Sequence, residues 1–150
     1  MRGAVCLTAV AAAAAGLLAP ATAGAELRRP SGTYSAPADR WLLNVAGRSI
    51  QIAAFDFICR DTKGRISVNG IRIRRARGRW RFSARLYGLV TYADERPDEN
   101  GRLRVTGRFS RNARLATGTL RVTAPSCGTT REQQWRASRR AGGVSRALDV

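Results

Sequence analysis

Between Trp41 and Ala137 the chain runs in short stretches where apolar and polar residues alternate one by one. That period places one face of a β-strand in a core and the other in water. Trp41, Leu43 and Val45 open the series, and Ala46-Gly47-Arg48 reads as a turn into Ile50 and Ile52. The parity then changes, from Ile50, Ile52 and Ala54 at even positions to Phe55, Phe57 and Cys59 at odd ones, so a β-bulge is expected near Ala53-Ala54. Ile66 and Val68 alternate with Arg65, Ser67 and Asn69, and Asn69-Gly70 is a turn or bulge signal ahead of Ile71 and Ile73.

The most regular run follows. Trp80, Phe82, Ala84 and Leu86 oppose Arg79, Arg81, Ser83 and Arg85, the pattern of a strand half in core and half in water. Leu103, Val105, Gly107 and Phe109 oppose Arg102, Arg104, Thr106 and Arg108 in the same way. Thr119 to Val122 gives another strand, and Glu132 to Ala137 a last one with Trp135 inward. Connections rich in Gly, Asn, Asp and Ser separate the runs, and no helical period appears after the N-terminal segment. The expected fold is all-β: an antiparallel β-sandwich or barrel of about eight short strands with one disulfide.

The N-terminal segment has a different grammar. Met1-Arg2, the apolar run Ala4 to Ala19 and the small residues Ala23-Gly24-Ala25 read as a secretory signal cleaved near Ala25. The run is shorter than the ~20 residues that cross a bilayer as a helix, and Pro20 breaks it; a retained anchor is the alternative. The expected division is a signal peptide over 1–25, an extended leader over 26–40 containing Pro30, Gly32 and Pro37, a β-domain over 41–137 and a flexible tail over 138–150. The mature protein is then secreted, either released or held at the cell envelope. No transmembrane segment is expected after the signal is removed.

Export changes the reading of the cysteines. Cys6 leaves with the signal, and Cys59 and Cys127 remain in a compartment that permits disulfides, where only one pairing exists. Such a bridge closes a long loop, for which the chain-entropy model gives roughly 4 kcal/mol as an upper figure.

Several landmarks recur together: Gly32-Thr33-Tyr34, a strand ending in Cys59, Gly78-Arg79-Trp80-Arg81-Phe82, Val105-Thr106-Gly107-Arg108-Phe109-Ser110, Ala116-Thr117-Gly118-Thr119-Leu120, Cys127 and Trp135-Arg136-Ala137. In that order, over most of the mature chain, they resemble a family of small secreted, disulfide-containing β-domain proteins of high-GC bacteria. Tyr92 falls where that family has a tyrosine before an acidic loop, whereas "DERPDENG" is a local elaboration. The resemblance implies a secreted β-domain with a disulfide and carries over no activity.

The formal net charge is +17, and Lys63 is the only lysine. A GC-rich genome favours arginine codons, so the preference for arginine is not by itself a functional signal. The chain contains no histidine, which excludes Ser-His-Asp and Cys-His catalysis and His-ligated zinc. No phosphate-binding glycine loop, dinucleotide fingerprint or Cys-x-x-Cys pair is present. We therefore expect no enzyme, no catalytic residue, no cofactor and no metal, although carboxylate chemistry stays open through Asp56, Asp61, Asp94, Glu95, Asp98 and Glu99. Asp56 interrupts Phe55 and Phe57 and is expected to pair with an arginine on the wet face. The acids from Asp94 to Glu99 read as a polar hairpin loop turned by Asn100-Gly101, with no calcium-binding spacing.

What remains is a candidate anion-binding face of Arg72, Arg74, Arg79, Arg81, Arg85, Arg102, Arg104 and Arg108. Like charges opposite one another on a sheet repel, and an anion relieves them. The expected function is a secreted, non-enzymatic β-domain acting by binding at the cell envelope. Two alternatives stand beside it: a polyanion binder for an acidic envelope polymer or extracellular nucleic acid, and a protein-interaction or inhibitor module working through its loops toward a secreted protein. Sequence-specific nucleic-acid reading is disfavoured, because Trp80 and Phe82 fall on the core side and leave few rings for stacking.

Overall fold

In a computed structural model the protein is described over residues 26–141, so the expected signal peptide and residues 142–150 of the expected tail lie outside the described residues. The alternation becomes ten strands: β1 (Gly32–Ser35), β2 (Trp41–Ala46), β3 (Ser49–Cys59), β4 (Thr62–Arg72), β5 (Arg74–Ala76), β6 (Arg79–Tyr92), β7 (Glu99–Phe109), β8 (Leu115–Ala124), β9 (Gly128–Thr129) and β10 (Gln133–Arg139). Every pairing is antiparallel. Neighbours run β1-β2-β3-β4-β6-β7-β8, and β10 pairs with both β8 and β1, so eight strands close into a barrel. β5 lies beside β6, and β9 beside β8. Closure matters energetically, since it leaves the eight principal strands no long open edge of unpaired backbone groups.

An eight-stranded barrel has an interior just wide enough to be filled by side chains. Here Tyr34, Phe55, Phe57, Phe109, Ile66, Leu103 and Leu120 are among those that fill it, and no polar side chain is buried among the described residues. The Tyr34 hydroxyl donates to the Ala113 carbonyl oxygen at 2.7 Å, so the largest buried phenol keeps a partner. Burial pushes its pKa up from the ordinary tyrosine value.

Cys59 and Cys127 form the expected disulfide, with Cα atoms 5.4 Å apart across a sequence separation of 68. It ties the end of β3 to the connection between β8 and β9. Beside it the Tyr92 hydroxyl donates to Glu99, which also accepts from the Ser126 amide and hydroxyl. Burial and then the bond to Glu99 push the Tyr92 pKa up to about 12. Burial alone pushes Glu99 up, but its bonds from Tyr92 and Ser126 outweigh that and hold it below the usual carboxylate value.

Several local expectations are corrected. Residues 26–40 are more than a leader: Gly32–Ser35 form β1, the strand that closes the barrel, Leu27 packs against the core, and Pro37–Asp39 make a 3-10 turn. The domain continues past Ala137, because β10 extends to Arg139 and pairs Ser138 with Ser35. The β3 bulge lies earlier than Ala53-Ala54. The register with β2 shifts between Asn44 and Val45, where Ile50 and Ile52 flank the unpaired Gln51, and Ile52 is turned outward at 48% exposure. Of the two readings of Asn69-Gly70 the turn is excluded, because β4 continues through it against β3, and the bulge fits: Gly70 has a φ of 75° and the inward parity switches between Val68 and Ile71. The turn falls at Arg77-Gly78, where φ values of 50° and 67° and the Ala76–Arg79 pairing form a two-residue hairpin that suits glycine. Asn100-Gly101 likewise lies inside β7, facing Leu89 and Gly88, and the loop that turns the chain is 93–98. Gly70 holds a positive φ within its strand and a Cβ on Gly101 would meet Val90, demands for glycine that sequence alone does not separate from a turn.

Candidate anion-binding groove

One inward row decides the shape of the outer wall. Phe82, Gly107, Gly118 and Trp135 are direct partners across β6, β7, β8 and β10. Because the middle two positions carry no side chain, the Phe82 and Trp135 rings meet over them, stacked with centroids 5.8 Å apart. A Cβ on Gly107 would run into both rings, and one on Gly118 would run into the Thr106 carbonyl oxygen. The Trp135 indole N–H donates to that same carbonyl at 3.2 Å. The glycines of the "TG" pairs in β7 and β8 thus make room for the two rings and for the close backbone approach between these strands.

On the outside, the positions flanking the glycine row form two further rows. One is Arg74, Arg81, Arg108, Thr117 and Arg136, each the register partner of the next across β5, β6, β7, β8 and β10. The other is Ser83, Thr106, Thr119 and Gln134. Both rows line a groove of about 910 Å³ whose floor includes the two part-exposed glycines. Arginine supplies one wall, and hydroxyl and amide groups supply the bed. Thr106 and Thr119 are joined through their Oγ1 atoms at 3.0 Å.

The charge in this groove is unbalanced. No aspartate or glutamate lines it, and among the described residues the ion pairs are Arg65–Asp56, Arg96–Asp94 and Arg140–Asp39, all elsewhere. Arg81 stands directly opposite Arg74 on one side and Arg108 on the other, an arrangement in which like charges repel. Its Nε is shut off from water and has no hydrogen-bond partner among the protein groups. A buried guanidinium N–H left without a partner costs free energy.

A second, smaller cleft of about 300 Å³ lies further along the same strands, lined by Arg85, Arg102, Arg104, Arg121, Thr123 and Thr129. Arg85, Arg104 and Arg121 are successive register partners, and Thr123 and Thr129 share a hydroxyl contact at 2.9 Å. At its rim Tyr87 is 72% exposed, with Arg102 over its ring and an Arg102 Nη2 to Tyr87 hydroxyl bond of 2.9 Å.

No family model, curated protein or solved structure matches this chain.

Of the eight arginines expected on one face, Arg74, Arg81 and Arg108 line the large groove and Arg85, Arg102 and Arg104 the small one. Arg72 and Arg79 line neither: Arg72 is exposed opposite Ser49 on β4, and Arg79 faces Ala76 across the β5–β6 hairpin. Sequence reasoning missed Arg121 and Arg136. Both were legible as outward positions, beside Leu120 and Trp135, but only the pairing of β8 with β7 and β10 adds them to the arginine rows.

The acids gather no comparable site. Asp56 pairs with Arg65 at 2.9 Å, as its place on the wet face suggested. Asp94 pairs with Arg96, whose guanidinium lies 4.0 Å over the Tyr92 ring, and this bond holds the Asp94 pKa below the usual value. The loop 93–98 is therefore engaged at its own end of the barrel, and none of its residues lines the arginine groove. Among the described residues no three His, Cys, Asp or Glu side chains converge as a metal site, and no helix is long and apolar enough to cross a membrane.

Proposed function

We propose that this protein is a secreted, non-enzymatic β-barrel that binds an acidic polymer of the cell envelope through the outer face of β6, β7, β8 and β10. The observation that carries this reading is the row Arg74, Arg81, Arg108 and Arg136 lining a groove without a carboxylate. Folding has placed like charges side by side at a cost, and a bound polyanion offsets that cost while its counterions are released. Arginine suits the task, because its planar fork matches carboxylate and phosphate groups bidentately and keeps its charge at any physiological pH.

Export supports the same reading, since the signal-like N-terminal segment and the disulfide both belong to an oxidising compartment where acidic wall polymers are at hand. The test is binding of the purified protein to an acidic wall polymer and to a neutral glycan across a salt series. Affinity for the acidic polymer that persists near physiological salt is the expected result. Equal binding to the neutral glycan, or none to either at low salt, would sink the reading.

A further inference from the structure

Resting on that reading, we infer that the groove selects an acidic polysaccharide, a chain with anionic groups along one edge and sugar hydroxyls along the other, over a nucleic acid or a plain polyanion. The groove is two-sided. One wall offers the guanidinium row Arg74, Arg81, Arg108 and Arg136, and the bed beside it offers Ser83, Thr106, Thr119 and Gln134. Charge alone would need only the wall.

The chemistry of the bed is that of sugar recognition. Hydroxyl and carboxamide groups both donate and accept, as sugar hydroxyls do, so each contact can form in either direction. The Thr106–Thr119 contact uses one of the two hydroxyl hydrogens, which leaves the other free to donate into the groove and lone pairs on both oxygens free to accept. The pair presents one free hydroxyl donor, on either threonine, with acceptors in the middle of the bed.

A nucleic acid does not fit the same features. Single strands are held by stacking bases on exposed rings, but the aromatic side chains at this groove, Phe82 and Trp135, are 5% and 2% exposed and turned into the barrel. The exposed Tyr87 lies four positions along β6 from Ser83, about 13 Å away at the rise of a strand, lines neither cleft and is held by Arg102. Duplex DNA carries one charge per ~1.7 Å of axis and would leave a bed of neutral hydrogen-bonding groups facing more phosphate.

The experiment compares three probes, polygalacturonate, inorganic polyphosphate and a short duplex DNA, on the wild type and on Thr106→Val/Thr119→Val. Valine keeps the threonine shape and suits a strand, and Ser83→Ala/Gln134→Ala serves as a second variant on the two outer strands of the bed. Each variant is checked for an unchanged thermal transition. We expect polygalacturonate affinity to fall about tenfold in either variant, the loss of two ordinary hydrogen bonds, with polyphosphate affinity unchanged. Unchanged polygalacturonate binding, an equal fall for polyphosphate, or tighter binding of duplex DNA than of polygalacturonate near physiological salt would each overturn the sugar-edge inference and leave the polyanion reading standing. If replacement of Arg81 and Arg108 by threonine leaves both polymers bound as before, the polyanion reading itself fails.

Discussion

Replacing Arg81 and Arg108 together by threonine should weaken polyanion binding and stabilise the fold at the same time, a pairing that few surface mutations show. The two residues are direct partners across β6 and β7, and Arg81 also faces Arg74. Duplex DNA is not the polymer the groove selects, but it is a convenient probe of the arginine wall alone because its counterion release is calibrated: each charge contact contributes about 0.9 to the slope of log K against log salt. Engagement of Arg74, Arg81, Arg108 and Arg136 then predicts a slope near −3.6, or a loss of roughly 150-fold in affinity between about 50 and about 200 mM salt. With Arg81 and Arg108 gone, the slope should fall to about −1.8 and the loss to roughly 12-fold.

Stability should move the other way. A like-charge pair directly opposite on a sheet costs about 0.2–1 kcal/mol, and the double variant removes both contacts of Arg81. These side chains reach solvent, so the gain should be a fraction of the summed figure, about 0.5–1 kcal/mol at low salt, raising Tm by a few degrees and shrinking as salt screens the charges. Fluorescence anisotropy across the salt series and calorimetry at low and high salt read both quantities. An unchanged slope would show that these arginines do not touch the polyanion. A lowered Tm at low salt would show that the row is not under repulsive strain, and the argument for an anion-seeking groove would lose its energetic basis.

Four further outcomes follow from the fold. Reducing the disulfide, or Cys59→Ser with Cys127→Ser, should cost up to roughly 4 kcal/mol by the chain-entropy model, seen as a large fall in the denaturation midpoint; an unchanged midpoint would mean the bridge constrains nothing. Because the Tyr92 pKa is raised from 10.0 to about 12, its contribution to stability is complete below pH 10 and is lost as pH rises toward 12, so the melting temperature should drop across that window in the wild type and less steeply in Tyr92→Phe. Glu99, Asp39 and Asp94 are held below their ordinary values, so their contributions stand above the usual carboxylate range and disappear as acid titrates them in the fold; melts at falling pH should show Glu99→Gln already lacking part of that loss. Gly118→Ala should destabilise the barrel by more than the ~1–3 kcal/mol of ordinary overpacking, because its Cβ meets backbone, whereas Gly47→Ala meets open space and bears only the strain of its positive φ; equal costs would contradict the close backbone approach at Gly118.

The sequence by itself determined the class of the fold and the sides of most strands. Alternation is a local signal, and Trp80, Phe82, Leu103, Val105 and Trp135 all face the core where their parity placed them. The disulfide was equally legible, since the two cysteines that lie outside the signal-like N-terminal segment have one way to pair. Glycine-marked sites were read less well, because Asn100-Gly101 has the chemistry of a turn and Asn69-Gly70 that of a turn or a bulge, and only pairing with neighbouring strands shows that both lie inside a strand. The tertiary structure alone decided that β1 and β10 close the wall, and that Arg136 on the last strand shares a row with Arg74, Arg81 and Arg108. The reason is physical: period two says which way a side chain points, but which residue stands beside it is set by strand order and register, contacts made across the whole chain rather than along it.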